Sequence, residues 1–238
     1  TGKSTLLKTL NSSLAPLSGE VLLFDRNIKE YSENDLSKNL GLVLTEKIDA
    51  GGLLVKEIVG LGRYPYTGFW GKTTDHDEQI IKQAMEAVNI THKANSYISE
   101  LSDGERQKAL IAKALAQECP IILLDEPTAF LDATSRIEIM LLLQRLAKEQ
   151  DKAILLSTHD IELALSMADR LWLLSDEKGL KCGLTEDLIF ADNINEYLSF
   201  GKVLACGGSW MVKGDLIKEG NFEEITRMTR EAVNLMLG

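Results

Sequence analysis

Two adjacent carboxylates, Asp125 and Glu126, follow an apolar run in IILLDEPTAFLD (Ile121 to Asp132), and His159 follows another in AILLSTHD. An apolar run of this kind reads as a buried strand, so the acids sit where it emerges, at the carboxyl end where α/β sheets place their ligands. A nucleotide with magnesium needs one carboxylate near the metal and one near the attacking water, and the pair suits that need. In LSDGERQKALIAKAL (Leu101 to Leu115), Ser102 and Glu105 stand at capping-box spacing before a helical run. A helix start behind a glycine-containing turn also presents free backbone N–H groups to an anion. The opening TGKST carries Gly2, Lys3 and Ser4, which fit the last three places of the phosphate-binding pattern G-x-x-x-x-G-K-[ST]. Each stretch taken singly has a plainer reading as well: solvated turn acids, a well-capped helix, a structural histidine, an ordinary helix start.

The elements that must position these residues are legible in outline. A helix is expected from Ser4 to about Leu14, stopped by Pro16, then a strand over Gly19 to Phe24, a helix over Asp35 to Leu40 and a strand over Gly41 to Leu44. Gly60 to Thr74, rich in Gly and aromatics, reads as a loop, and Asp75 to Val88 and Ser102 to Gln117 as helices of a central insertion. Ile121 to Asp125, Ala153 to Ser157 and Arg170 to Ser175 read as strands, with a helix of about Ser135 to Glu149 between the first two. Continuous apolar strands alternating with helices predict a parallel sheet covered on both faces, an α/β core. Asn221 and Glu224 make a capping box for a last helix.

Composition bounds the function. The 238 residues are 45% hydrophobic, with no apolar run near the roughly 18 residues that span a bilayer, which predicts a soluble chain. The net charge of −10 argues against a general nucleic-acid binder. Cys119, Cys182 and Cys206 lie far apart without C-x-x-C pairing, so neither a disulfide framework nor a zinc site is expected. The start of the chain carries no signal-peptide pattern, and a cytoplasmic setting is expected.

GKST, LSDGE, IILLDEP and a histidine after the next strand, in this order and at these separations, resemble the ATP-binding subunit of ABC transporters. The likeness runs from Thr1 to about Ser175. It implies a P-loop NTPase (ABC ATPase) core over 1–175, with parallel sheet and flanking helices, a helical signature subdomain at about 60–117, and a small C-terminal extension over 176–238. It also implies that the chain begins within the phosphate-binding loop, the preceding glycines and strand lying upstream. By the resemblance, Lys3 reaches the β- and γ-phosphates of ATP, backbone N–H groups from Gly2 to Thr5 cradle them, and Ser4 and Asp125 hold Mg2+. Glu126 is the general base and His159 contacts the γ-phosphate. Ser102 and Gly104 bind the γ-phosphate of the nucleotide on a second copy in a head-to-tail dimer, and Asp132 links the two sites.

Two departures stand out. LSDGE replaces the usual LSGGQ, a variation tolerated in the importers this chain resembles. Thr45, with Glu46 next, occupies the place of an expected glutamine; either side chain offers oxygen to magnesium. GLGRYPYTGFWG (Gly60 to Gly71) resembles the G-R-x-P-[HY] stretch of importers for ferric siderophores, haem and cobalamin, which sets Arg63, Tyr64 and Tyr66 near the surface that receives a coupling helix. The implied function is ATP-driven import of a metal chelate, iron(III)-siderophore first. The partners are membrane permease subunits, a second copy of the chain and, indirectly, an extracytoplasmic substrate-binding protein, at the cytoplasmic face of the membrane and without nucleic acid. A soluble ABC ATPase of protein remodelling or cofactor assembly is the alternative.

Overall fold

The computed structural model describes residues 2–44, 52–67, 71–175, 179–190 and 203–207. Helix α1 (Lys3–Leu10) ends four residues earlier than expected, because Asn11 caps it and Ser12 turns left-handed at φ 66. The strand expected over Gly19 to Phe24 is reduced to β1 (Leu22–Leu23), paired antiparallel with β2 (Arg26–Asn27). Phe24 and Asp25, both at positive φ, make the two-residue turn between them, the backbone geometry that right-twisted hairpins require. Helix α2 (Glu33–Asn39), capped by the Ser32 hydroxyl, leads directly into β3 (Leu40–Val43).

Helix α3 (Val55–Gly60) continues as a 3-10 turn over Leu61–Tyr66, in place of the loop expected from Gly60. Val55, Ile58 and Val59 fall on one helical face and are fully buried, which anchors this segment. Helix α4 (Asp75–Ala87) starts at a reciprocal cap between Thr74 and Asp77, and α5 (Asp103–Ala116) starts at a cap of Ser102 and Glu105. Then come β4 (Ile121–Leu124), α6 (Ala133–Glu149), β5 (Ala153–Thr158), α7 (Ile161–Met167), β6 (Arg170–Ser175), β7 (Gly179–Leu184), α8 (Thr185–Phe190) and β8 (Val203–Gly207). The last helix expected after Asn221 lies outside the described residues.

Among the described residues, six strands form one sheet in the order β3-β4-β5-β8-β6-β7. The expected parallel arrangement holds for β3, β4 and β5. The strand β8 runs antiparallel to both β5 and β6, and β7 antiparallel to β6, so the sheet is mixed. The position 175/176 therefore falls between two strands that pair with each other.

Alternation across the sheet explains why its strands read as unbroken apolar runs. Ile122, Leu124, Ile154, Leu156, Leu171 and Leu173 join the large cluster that also holds the apolar faces of α3 to α6. Leu123, Leu155 and Trp172 face the other way and pack against Leu7 of α1. Helix α1, with Lys3 at its start, is thereby clamped to the sheet opposite α5 and α6. Among the described residues no helix is long and apolar enough to cross a membrane.

Candidate functional site

Parallel register brings the chemistry together. Leu124 pairs with Leu156, so the next residues, Asp125 and Ser157, emerge side by side at the carboxyl ends of β4 and β5. The Ser157 hydroxyl donates to Asp125 Oδ1 at 2.6 Å and accepts from the Glu126 N–H at 2.8 Å. One buried hydroxyl thus orients both acids. Glu126 has φ 44, a left-handed backbone that a non-glycine residue adopts only when its surroundings enforce it. That turn redirects the Glu126 side chain toward Lys3 and His159: Oε1 lies 3.1 Å from Lys3 Nζ and Oε2 lies 3.4 Å from His159 Nδ1.

Lys3 is buried apart from 8% of its surface and also donates to the Thr158 carbonyl at 3.0 Å. Gly2 precedes it at φ 67, and a Cβ there would stand 3.2 Å from Leu174 Cδ2, so this position suits glycine on both counts. Gly2 caps α1 through its carbonyl, which accepts from Leu6 N–H. The first-turn N–H groups of Lys3, Ser4 and Thr5 then have no partner within the helix, and Ser4 and Thr5 are exposed. Together these features make a cationic, donor-rich cup beside two carboxylates, suited to a polyphosphate.

The donor set also fits Mg2+. Ser4 and Asp125 offer hard oxygens, as a small divalent cation prefers, and the Ser157 hydroxyl gives the Asp125 carboxylate the outer support that ligating carboxylates receive. Among the described residues no group of three or more His, Cys, Asp and Glu could hold a metal by itself. Any magnesium here would therefore share its coordination with phosphate oxygens and water.

Ser102, Gly104 and Asp132 form a second group on the first turns of α5 and α6. The Ser102 hydroxyl accepts from Glu105 N–H at 3.3 Å, and Asp132 accepts from the Ser135 N–H and hydroxyl, each at 2.9 Å. These bonds, the backbone one foremost, lower the Asp132 pKa. A Cβ at Gly104 would meet Ser135 Oγ at 3.2 Å, so the two helix starts abut. Thr45 lies outside the described residues.

One expectation is overturned. Arg63 was placed with Tyr64 and Tyr66 at a docking surface, but it is only 2% exposed. Its guanidinium donates to Asp77 Oδ1 at 2.9 Å, the Ala116 carbonyl at 2.7 Å and Glu118 Oε2 at 2.6 Å. It fastens the 3-10 turn to the ends of α4 and α5. Tyr64 is 77% exposed and Tyr66 39%, with Tyr66 stacked under Arg63 at 4.1 Å. Sequence reasoning also passed over Ser157 and Thr158. The available signal was two polar residues ending an otherwise apolar strand, beside another strand ending in two acids.

An α/β sheet whose strand ends gather a lysine at a helix start, two acids and a histidine is the arrangement expected of the P-loop NTPase class. The ABC transporter family model matches residues 1–129. An ABC transporter ATP-binding protein of Methanocaldococcus jannaschii, itself uncharacterized, is 44% identical over 82% of this chain and 67% of its own. The ferric enterobactin transport ATP-binding protein of Escherichia coli is 36% identical over 81% and 71%. A transporter assigned to the metal-chelate type of ABC transporter, solved in an inward-facing conformation, superposes with a TM-score of 0.73 at 31% identity, covering 83% of this chain and 74% of that one. The chain belongs to the ABC transporter family, and its fold is that of an ABC ATPase.

Proposed function

We propose that the chain is the ATP-binding and hydrolysing subunit that energises an ABC importer for a metal chelate, with an iron(III)-siderophore as cargo. One observation carries the reading: Lys3, Asp125, Glu126 and His159, from three separate segments, meet at the ends of β4 and β5. The ferric enterobactin and metal-chelate relatives support the choice of cargo. The core is 1–175, with a helical subdomain at about 60–117. Residues 176–238 extend it, with β7 and β8 adding to the same sheet.

Lys3 exchanges the Glu126 carboxylate for β- and γ-phosphate oxygens, which it binds as a point charge, while the first-turn N–H groups of α1 cradle the same phosphates. That exchange leaves Glu126 Oε1 to accept a proton from the attacking water as general base. His159, 57% exposed at its side chain, reaches the γ-phosphate from the other side of Glu126. Ser4 and Asp125 would hold magnesium, which when bound would supply neutralising charge to the phosphates.

Ser102, Gly104 and Asp132 face a second copy of the chain, head to tail, so that each ATP is enclosed by α1 of one copy and the α5 start of the other. The subunit works at the cytoplasmic face of the membrane on permease subunits, whose coupling helix meets the exposed Tyr64. An extracytoplasmic substrate-binding protein contributes indirectly, and nucleic acid is not a partner.

The test is a pull-down from native membranes with the full-length Glu126→Gln protein and ATP. Recovery of a many-helix membrane protein supports import, and its identity narrows the cargo. Recovery of soluble partners alone would replace this reading with a soluble ABC ATPase.

A further inference from the structure

The start of α5 carries two acids where an anion is to bind. Asp103 and Glu105 both lie in its first turn, which favours the helix but opposes a phosphate arriving at the Ser102 and Gly104 end. Each acid has its own cation. Glu105 Oε2 accepts from Ser102 N–H at 3.0 Å, while its Oε1 stands 3.2 Å from Lys93 Nζ, which comes from the short 3-10 turn Thr91–Lys93 after α4. Asp103 Oδ1 accepts from Arg106 Nη1 at 2.7 Å, and Arg106 Nη2 also donates to the Leu101 carbonyl at 3.1 Å. The Glu105–Lys93 pair is about one-third exposed at each side chain, so its charges are felt at the surface.

We propose that Lys93 is a positioning residue for ATP-driven dimer closure: by cancelling the charge of Glu105 it lets this helix start, despite its acids, receive the γ-phosphate held by the second copy. This rests on the proposed ATP-sandwiched dimer. Arg106 does the same for Asp103 from within the helix. The Ser102 backbone and the Lys93 ammonium both hold Glu105 in its charged form, its pKa being lowered first by the Ser102 N–H. The carboxylate is therefore present at neutral pH and has to be offset by a cation.

Charge arithmetic gives a sign pattern that a purely structural pair would not. The intact pair sums to zero, Lys93→Met leaves one negative charge, Glu105→Gln leaves one positive charge, and the double substitution returns the sum to zero. In the full-length protein, Lys93→Met is expected to raise the KM for ATP by roughly three- to tenfold with kcat within about twofold. Glu105→Gln should lower KM, and Lys93→Met with Glu105→Gln should return it to the wild-type value. ATP-dependent dimerisation, measured by light scattering in a Glu126→Gln background, should follow the same order.

If all three variants raised KM, or if the double variant stayed at the value of Lys93→Met, the ion pair would be structural and the proposal overturned. Should Lys93→Met fail to fold, Arg106→Met with and without Asp103→Gly repeats the comparison on the other pair, with the same sign pattern expected and the same failure decisive. A wild-type protein that neither hydrolyses ATP nor dimerises with it would instead overturn the ABC ATPase reading, and this proposal with it.

Discussion

Lys3 Nζ and Glu126 Oε1 stand 3.1 Å apart, joining the cation at the start of α1 to the acid that follows β4 across 123 positions of sequence, 126 minus 3. The same ammonium is held by the Thr158 carbonyl at 3.0 Å, so its place is set by two strands that the sequence separates widely.

Replacing Glu126 with Gln removes the proposed general base and also the carboxylate that pairs with Lys3 and would compete with phosphate for it. The kcat for ATP hydrolysis is expected to fall by roughly 10²- to 10⁴-fold. ATP affinity should hold or tighten. Steady-state hydrolysis and nucleotide titration on the same variant check both parts, and weakened binding would contradict the competition between Glu126 and phosphate.

Ser157 is fully buried and serves Asp125 and the Glu126 N–H at once. Ser157→Ala leaves a left-handed Glu126 without the acceptor of its N–H, at a cost of about 1–3 kcal/mol in unfolding free energy. The kcat should fall with it, since both acids lose their orientation. Urea unfolding together with hydrolysis rates tests this, and a stable, fully active variant would show that the hydroxyl is dispensable.

Leu7 is completely buried between α1 and Leu123, Leu155 and Trp172. Leu7→Ala should cost about 2–5 kcal/mol. It should also raise the KM for ATP, because the cavity lies beneath the helix that presents Lys3. An equal cavity on the other face, Ile139→Ala in α6, is expected to lower stability with less effect on KM. Denaturant curves and kinetics on the two variants separate stability from site geometry.

Asp77 has its pKa lowered from 3.8 to about 2, by the Thr74 N–H first, then the Thr74 hydroxyl and Arg63. A carboxyl depressed in the folded state contributes stability that is fully present above its ordinary value and is lost as pH falls toward about 2. Wild-type stability should therefore slope downward between about pH 4 and pH 2, and Asp77→Asn should flatten that slope. Arg63→Ala, which strands a buried acid, should cost about 3–5 kcal/mol at neutral pH. Thermal unfolding measured from pH 7 down to pH 2 reads out both.

Much of the fold was legible because local physics dictates it. The runs IILLD, AILLS and RLWLLS could be read as strands because both faces of their sheet are covered, so no polar alternation interrupts their apolar cores. The cap residue Ser102, with Glu105 three positions on, marks a helix start through bonds that span a single turn. The short-range motifs GKST, LSDGE and IILLDEP likewise carried the candidate residues and the family, since each packs its chemistry into a few neighbouring positions.

Tertiary structure decided what depends on partners distant in the chain. Arg63 looked like a surface contact beside two tyrosines, yet Asp77, Ala116 and Glu118 draw it inside, and nothing in GLGRYPY states that these acceptors surround it. Ser157 became the hinge of the site only through the register of β5 on β4, and β8 entered the sheet between β5 and β6 although it comes later in the chain than either. The sequence by itself determined the family and, through that resemblance, the candidates for binding phosphate and moving a proton, because each motif that carries the likeness lies within a few neighbouring positions. Which of them meet, and which of the remaining charges are buried, paired or left to solvent, was decided by long-range packing, because an ion pair or a strand register is a property of two segments and is written in neither alone.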